Sequence, residues 1–361
     1  MFKPRKLAPL ASAATLALLA LPPANAHELQ VVSTFSIISD FAKNVGGDRI
    51  SVATLVGPDG DAHSYEPRPA DAIAVGKADV VLANGLHFEG FLGRLMQATG
   101  GKAPVIELAT GARLLRNAEE GHDDHDHDHD HDHDHDHDHD HDHDHEHDHA
   151  KERSHDHAHD HGQPKEQDHA HDHSHAGAHS HHHHGEYDPH AWQSVSNAQV
   201  YVNNIVEAFC AADEAGCQSY RANARSYGEM LQALESEIRA TMAQIPSSQR
   251  TVITSHDAFA YLGREYGLRF LAPHGVSTES EASAAGVASL IRQIKDRKVS
   301  AIFLENISNP RLVRQIASET GLKVGGKLYS DALSAPDGPA ATYIDMMRHN
   351  INTIRDAALG W

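Results

Sequence analysis

The 361-residue chain is poor in cysteine, aromatics and base: two Cys, 6% Phe, Trp and Tyr, and 30 Lys and Arg against 51 Asp and Glu. With a formal charge of −21, it lacks the basic face that a nucleic-acid binder needs. Cys210 and Cys217 have no second Cys or His at finger-like spacing, which argues against a cysteine zinc site. No G-x-S-x-G nucleophile elbow is present. Beyond the N-terminal region no apolar run reaches the roughly 18 residues of a membrane span.

The N-terminus reads as an export signal. Lys3, Arg5 and Lys6 precede an apolar run over 7–21, and Ala24-Asn25-Ala26 fits a small-x-small cleavage site. A signal peptide over 1–26 and a periplasmic mature chain starting at His27 are expected. No lipid-bearing Cys follows the signal, so a free periplasmic protein is favoured. An oxidising compartment makes a Cys210–Cys217 disulfide plausible, the alternative being two separate buried thiols. The bridge would close a loop of about eight residues and add roughly 2–2.5 kcal/mol.

What is abundant is histidine, 34 residues in all. Residues 119–184 hold 27 of them, with 22 acids and 3 bases, so this window alone carries −19. Ten consecutive His-Asp dipeptides run over 125–144. Such a segment has little to bury, and disorder is expected over 119–186. The remainder has the charge balance of an ordinary soluble protein.

Outside the insertion, strand-like and helix-like patterns alternate. Strands are expected over 29–32, 50–56, 79–83 and 104–108, then over 251–254, 268–271, 299–304 and 322–324. Helices are expected over 34–45, 257–266, 285–295, 310–319 and 340–358. A stripe of Tyr220, Ala224, Tyr227, Leu231, Leu234, Ile238 and Met242 marks a long helix over 217–245, stopped by Pro246. The expected fold is α/β: two lobes, each with a mostly parallel sheet, joined by one long helix. The lobes would span 27–195 and 247–361, with a helical linker over 196–246.

Six histidines remain outside the insertion and the His27 terminus. His63, His190 and His256 sit in loops, the first and last of them just past expected strands, where ligands of open α/β sheets gather. Neutral imidazoles suit zinc, copper, nickel and iron, and a carboxylate can complete the shell. Asp331, in Tyr329-Ser330-Asp331-Ala332, is a loop carboxylate expected after a glycine-rich turn. His87, His274 and His349 read as structural, and Glu305, at a strand end, as paired rather than catalytic.

Six stretches in order carry a resemblance: DAHSYEP at 61–67, NGLHFEGFL at 84–92, YDPHAW at 187–192, SHDAFAYL at 255–262, STESEAS at 277–283 and LYSDALS at 328–334. The chain resembles the cluster A-I metal-binding solute-binding proteins of ABC importers, most of all the zinc members of the ZnuA and AztC type. The resemblance implies a metal site in the cleft between lobes, with His63 and His190 from the first and His256 and Asp331 from the second. Manganese members carry a glutamate where His256 stands. Some zinc members have an acid just before the first histidine, where this chain has Ala62.

The implied function is a periplasmic receptor, not an enzyme, that captures Zn2+ and delivers it to an ABC permease. A monomer is expected, with a periplasmic zinc chaperone as a further candidate partner. The alternatives are a periplasmic zinc buffer, or a receptor for another divalent ion such as manganese. The insertion, including His125, His127, His129, His131, His133 and His181, His182, His183 and His184, offers many weak sites for collecting or sensing zinc. Its alternating carboxylates attract cations to the cleft.

Overall fold

The computed structural model describes residues 28–117, 185–279, 282–297 and 299–360. The expected signal peptide and the insertion histidines from His125 to His184 lie outside these residues. Two four-stranded parallel sheets form the frame. The first has the order β2-β1-β3-β4, from β1 (Leu29–Phe35), β2 (Ile50–Val56), β3 (Val80–Ala83) and β4 (Val105–Glu107). The second has the order β6-β5-β7-β8, from β5 (Thr251–Ile253), β6 (Arg269–Leu271), β7 (Ala301–Glu305) and β8 (Val324–Leu328). Every pairing is parallel. The inner strands β1 and β3 are almost wholly buried, as central parallel strands covered on both faces must be.

The helices follow local signals. α1 (Ser36–Gly46) puts Ile37, Ile38, Phe41, Ala42 and Val45 inside. α2 (Pro69–Lys77) starts at a proline, where the missing N–H costs nothing. α3 (Leu92–Thr99) closes on left-handed Gly100. α4 (Val195–Ala212) begins at Ser194, whose side chain accepts from Asn197 N–H. Then come α5 (Cys217–Met242), α6 (Ala260–Tyr266), α7 (Ala284–Asp296), α8 (Arg311–Thr320) and α9 (Tyr343–Leu359).

Three features differ from the sequence reading. The helices α2 and α3 were not expected. The helical stretch over 196–246 is two helices, turned at Asp213, which accepts from Gly216 N–H; the disulfide between Cys210 and Cys217 spans that turn. The glycines ahead of Asp331 make no turn, because Gly325 and Gly326 lie inside β8. A Cβ on Gly325 would sit 2.7 Å from the Phe303 ring, so the strand needs a bare backbone there.

The long helix α5, about 39 Å at 1.5 Å per residue, joins the lobes. It packs on α1 and α4 of the first lobe and on α6 and α9 of the second. Its buried stripe, Tyr220, Tyr227, Leu231, Leu234, Ile238 and Met242, is the one expected, save that Ala224 is only partly buried. One apolar core therefore continues from Leu29 through α1, α5 and α9 into the second sheet. A separate small core lies under α7 and α8, around Ile253, Leu290, Ile302 and Ile316.

Candidate metal centre

His63 lies in the loop after β2, where an aspartate two residues earlier shapes the turn. Asp61 Oδ1 accepts the His63 N–H at 2.9 Å and Oδ2 accepts from Ser64 Oγ at 2.8 Å. His190 repeats the device: Asp188 Oδ1 accepts the His190 N–H at 2.9 Å and also meets ring Nδ1 at 2.7 Å. The two Asp-x-His turns thus use short polar side chains to bond nearby backbone. His256 follows β5. Glu305, at the end of β7, accepts from Ser255 N–H at 2.6 Å and from His256 N–H at 3.0 Å. Its other oxygen lies 2.6 Å from His256 Nδ1, off the line of an ideal hydrogen bond.

Asp331 follows β8 and is tied to the first lobe. The preceding carbonyl, Ser330 O, accepts from Trp192 Nε1 at 3.0 Å and from Gln193 Nε2 at 2.7 Å. The donors stand two and three residues after His190, so one loop places two of the four residues.

His63, His190, His256 and Asp331 each offer a ligand atom, and all four atoms lie within 4.8 Å of one another. Asp331 is 3.3 Å from His63 Nε2, 3.6 Å from His190 Nε2 and 3.1 Å from His256 Nε2. His63 is 7% exposed and the other three are at 0%. The Nε2 atoms of His63 and His190 and Oδ1 of Asp331 are buried without a hydrogen-bond partner. Orphaned polar atoms aimed at one point carry a desolvation cost, which a cation between them would offset. Among the described residues this is the only His, Cys, Asp and Glu group of that kind.

The charges are coupled. Burial opposes a charged His256, but the Glu305 and Asp331 carboxylates outweigh it and hold the imidazole well above its ordinary pKa. Burial likewise opposes ionised Asp331, and His256 and His190 outweigh that, holding it well below the carboxylate range. The His256 imidazole thus lies between two carboxylates, both of which favour its charged form. Aromatic rings wall it off: Phe88 stands edge-on to His63 at 4.7 Å, and Trp192 lies 5.3 Å from His190.

The other candidates take no part in this cluster. His87 is exposed and lines a separate cavity of about 530 Å³ with Glu89, Glu107 and Glu186. His349 Nε2 is bonded to Lys327 O at 2.9 Å. His274 lies in the segment after β6 and is not among the four. Glu305 is paired, as expected. Asp61 and Asp188 were not singled out from sequence, although the repeated Asp-x-His spacing was there to read.

A family profile described as "ZnuA: Zinc-uptake complex component A periplasmic" matches residues 31–357. The chain is 28% identical over 333 residues to the iron-binding protein YfeA of Yersinia pestis, covering 92% of this chain and 87% of that one. It is 30% identical over 339 residues to the manganese-binding lipoprotein MntA of Bacillus subtilis, covering 92% and 90%. Among solved structures, the periplasmic zinc binding protein TroA from Treponema pallidum superposes with a TM-score of 0.71 at 25% identity, over 92% of this chain and 99% of that one. The manganese-bound periplasmic metal binding protein from Candidatus Liberibacter asiaticus gives 0.67 at 27% identity, over 91% and 98%. Three different metals stand in these names, so likeness alone does not choose the ion.

Proposed function

Because the chain belongs to the ZnuA family, we propose that it is the periplasmic zinc receptor of an ABC importer, holding Zn2+ between its lobes and handing it to the membrane permease. The ligands are His63, His190, His256 and Asp331. One observation carries this reading: four buried ligand atoms, three of them nitrogens, converge within 4.8 Å. Three imidazoles and one carboxylate match a tetrahedral zinc shell, whereas hard, oxygen-rich shells suit manganese. Filled by four protein ligands, such a shell leaves no place for a reactive water, in keeping with a carrier rather than a hydrolase.

The chain's own groups prepare the capture. Asp188 and Glu305 occupy the Nδ1 sides of His190 and His256, leaving Nε2 for the ion. Zinc displaces the proton that the two carboxylates keep on His256, since a ligand imidazole must be neutral. The ion then takes over neutralisation of Asp331. The export signal places the protein in the periplasm, and the insertion raises the local zinc concentration beside His190.

The test is competitive titration with zinc, manganese and iron(II) of three proteins: the mature chain, a variant lacking 119–184, and the triple variant His63→Ala, His190→Ala, His256→Ala. One tight zinc site that survives the deletion and vanishes in the triple variant supports the reading. Preference for manganese or iron would move the protein to another branch of the family. Tight binding that survives the triple variant and is lost with the insertion would make it a zinc buffer.

A further inference from the structure

The loop that carries His63 is fastened to the second lobe at its outer side. Asp59 N–H donates to Leu333 O at 2.9 Å, and Asn306 Nδ2 donates to Asp59 Oδ1 at 3.1 Å. Thr278 Oγ1 donates to Asp61 Oδ2 at 2.7 Å. The Asp61 carboxylate accepts three bonds in all: from His63 N–H, from Ser64 Oγ and from Thr278 Oγ1. The same side chain that shapes the His63 turn thus reaches across the cleft.

These ties differ from four other bonds that cross between lobes. The bonds from Trp192 and Gln193 to Ser330, from Tyr261 to Asp188 and from Tyr343 to Trp192 are buried. The Thr278–Asp61 bond is only partly buried. His63 is also the one member of the four with measurable exposure, 7% against 0%. His63 therefore stands nearest to solvent of the four, although its Nε2 is itself buried, and its side is the one this bond fastens.

We propose that the Thr278–Asp61 hydrogen bond is a release latch: Asp61 and Thr278 are positioning residues that hold the His63 loop over the ion and set how long the ion stays. The inference rests on His63 being a ligand, as read above. An ion leaving past His63 needs that loop to lift, and lifting it breaks the latch. A hydrogen bond to a charged acceptor contributes enough to change the rate by tenfold or more. Thr278 itself touches no ligand atom, so its effect reaches the ion through Asp61 and the His63 turn.

The experiment is stopped-flow zinc release into excess chelator from the full mature chain, beside Thr278→Val, Thr278→Ser and Asp61→Asn. Valine keeps the shape and removes the hydroxyl; serine keeps the hydroxyl. Release about tenfold faster in Thr278→Val and Asp61→Asn, with serine at the wild-type rate, is the expected result. Melting of the metal-free Thr278→Val protein should fall by only the roughly 2–3 °C that one such bond accounts for, which separates a latch from general loosening. A Thr278→Val release rate within about twofold of wild type, in a chain that binds zinc at the four-residue site, overturns the latch. Absence of a tight site in the wild-type chain would instead overturn the ligand assignment, so the two failures are distinct.

Discussion

Glu305 holds His256 at two points: one carboxylate oxygen accepts its backbone N–H at 3.0 Å, and the other meets Nδ1 at 2.6 Å. The backbone bond fixes where the loop turns, and the ring contact fixes which nitrogen faces Asp331. Asp188 holds His190 at the same two points through a single oxygen, Oδ1.

These carboxylates should therefore govern affinity without touching the ion. Glu305→Gln and Asp188→Asn each keep an oxygen for the backbone N–H but lose the charge beside Nδ1. Zinc affinity should fall about 10–100-fold in either variant, the usual range for outer partners of ligating histidines. Competitive titration checks it; affinity unchanged in both variants would mean that the rings are held by packing alone.

Zinc capture should release protons at neutral pH. Against burial, the Glu305 and Asp331 carboxylates hold His256 well above its ordinary pKa, so a metal that takes this imidazole as a ligand should expel a proton. Affinity should rise with pH until it passes the raised pKa of His256. Calorimetry at pH 7 in buffers of different ionisation enthalpy counts the protons. The same shifts set metal-free stability. The raised His256 contributes fully below about pH 6.5 and its contribution is lost as pH climbs through the folded value. The lowered Asp331 contributes above about pH 3.9 and is lost as pH falls through its folded value.

Glu89 should make the metal-free protein less stable as pH rises from about 4.5 to 7. Burial pushes this carboxyl up to about 7, despite bonds from Thr34 Oγ1 and from the Asn84 and Gly85 N–H groups. The native state then keeps a proton that the unfolded chain has already lost, so stability declines through that window and levels off above it. Glu89→Gln, though less stable overall, should show a flatter profile between pH 5 and 7. Denaturant titrations of both proteins across that range decide it; parallel profiles would place the slope elsewhere.

Breaking the Cys210–Cys217 bridge should cost stability and leave binding alone. The bridge pins the α4–α5 turn, on helices that supply none of the four site residues. The double change to Ala should remove about 2–2.5 kcal/mol by the chain-entropy estimate. At about 2.1 cal/mol/K of unfolding entropy per ordered residue, that corresponds to a melting temperature lower by about 3–5 °C. Zinc affinity should be unchanged in titration.

Much of this architecture was legible because it rests on local pattern. The α5 stripe from Tyr220 to Met242 and the strand Ile50–Val56 stand where periodicity put them. The histidines could be chosen because each follows a punctuated stretch rather than interrupting a helix. Short elements were lost: α2 has a weak apolar face with Val75 as its one buried residue, and α3 buries only Leu92 and Leu95. The glycine pair before Asp331 misled for a tertiary reason, since Phe303 from the neighbouring strand fills the space a side chain would need. Nor could Trp192 and Gln193 be seen as clamps on Ser330, 137 or 138 residues away in the chain, until both loops stood at one cleft.

The apolar core that continues through α1, α5 and α9 gives the molecule a mechanical character. A wide rotation of one lobe would have to wet part of that core. Exposing even about 400 Å² of apolar surface costs roughly 10 kcal/mol. At about 1.4 kcal/mol per factor of ten, fewer than about one molecule in ten million would stand open at any moment. Ion traffic through so stiff a body should then fall to the loops at the rim, with the lobes as the anvil against which they work.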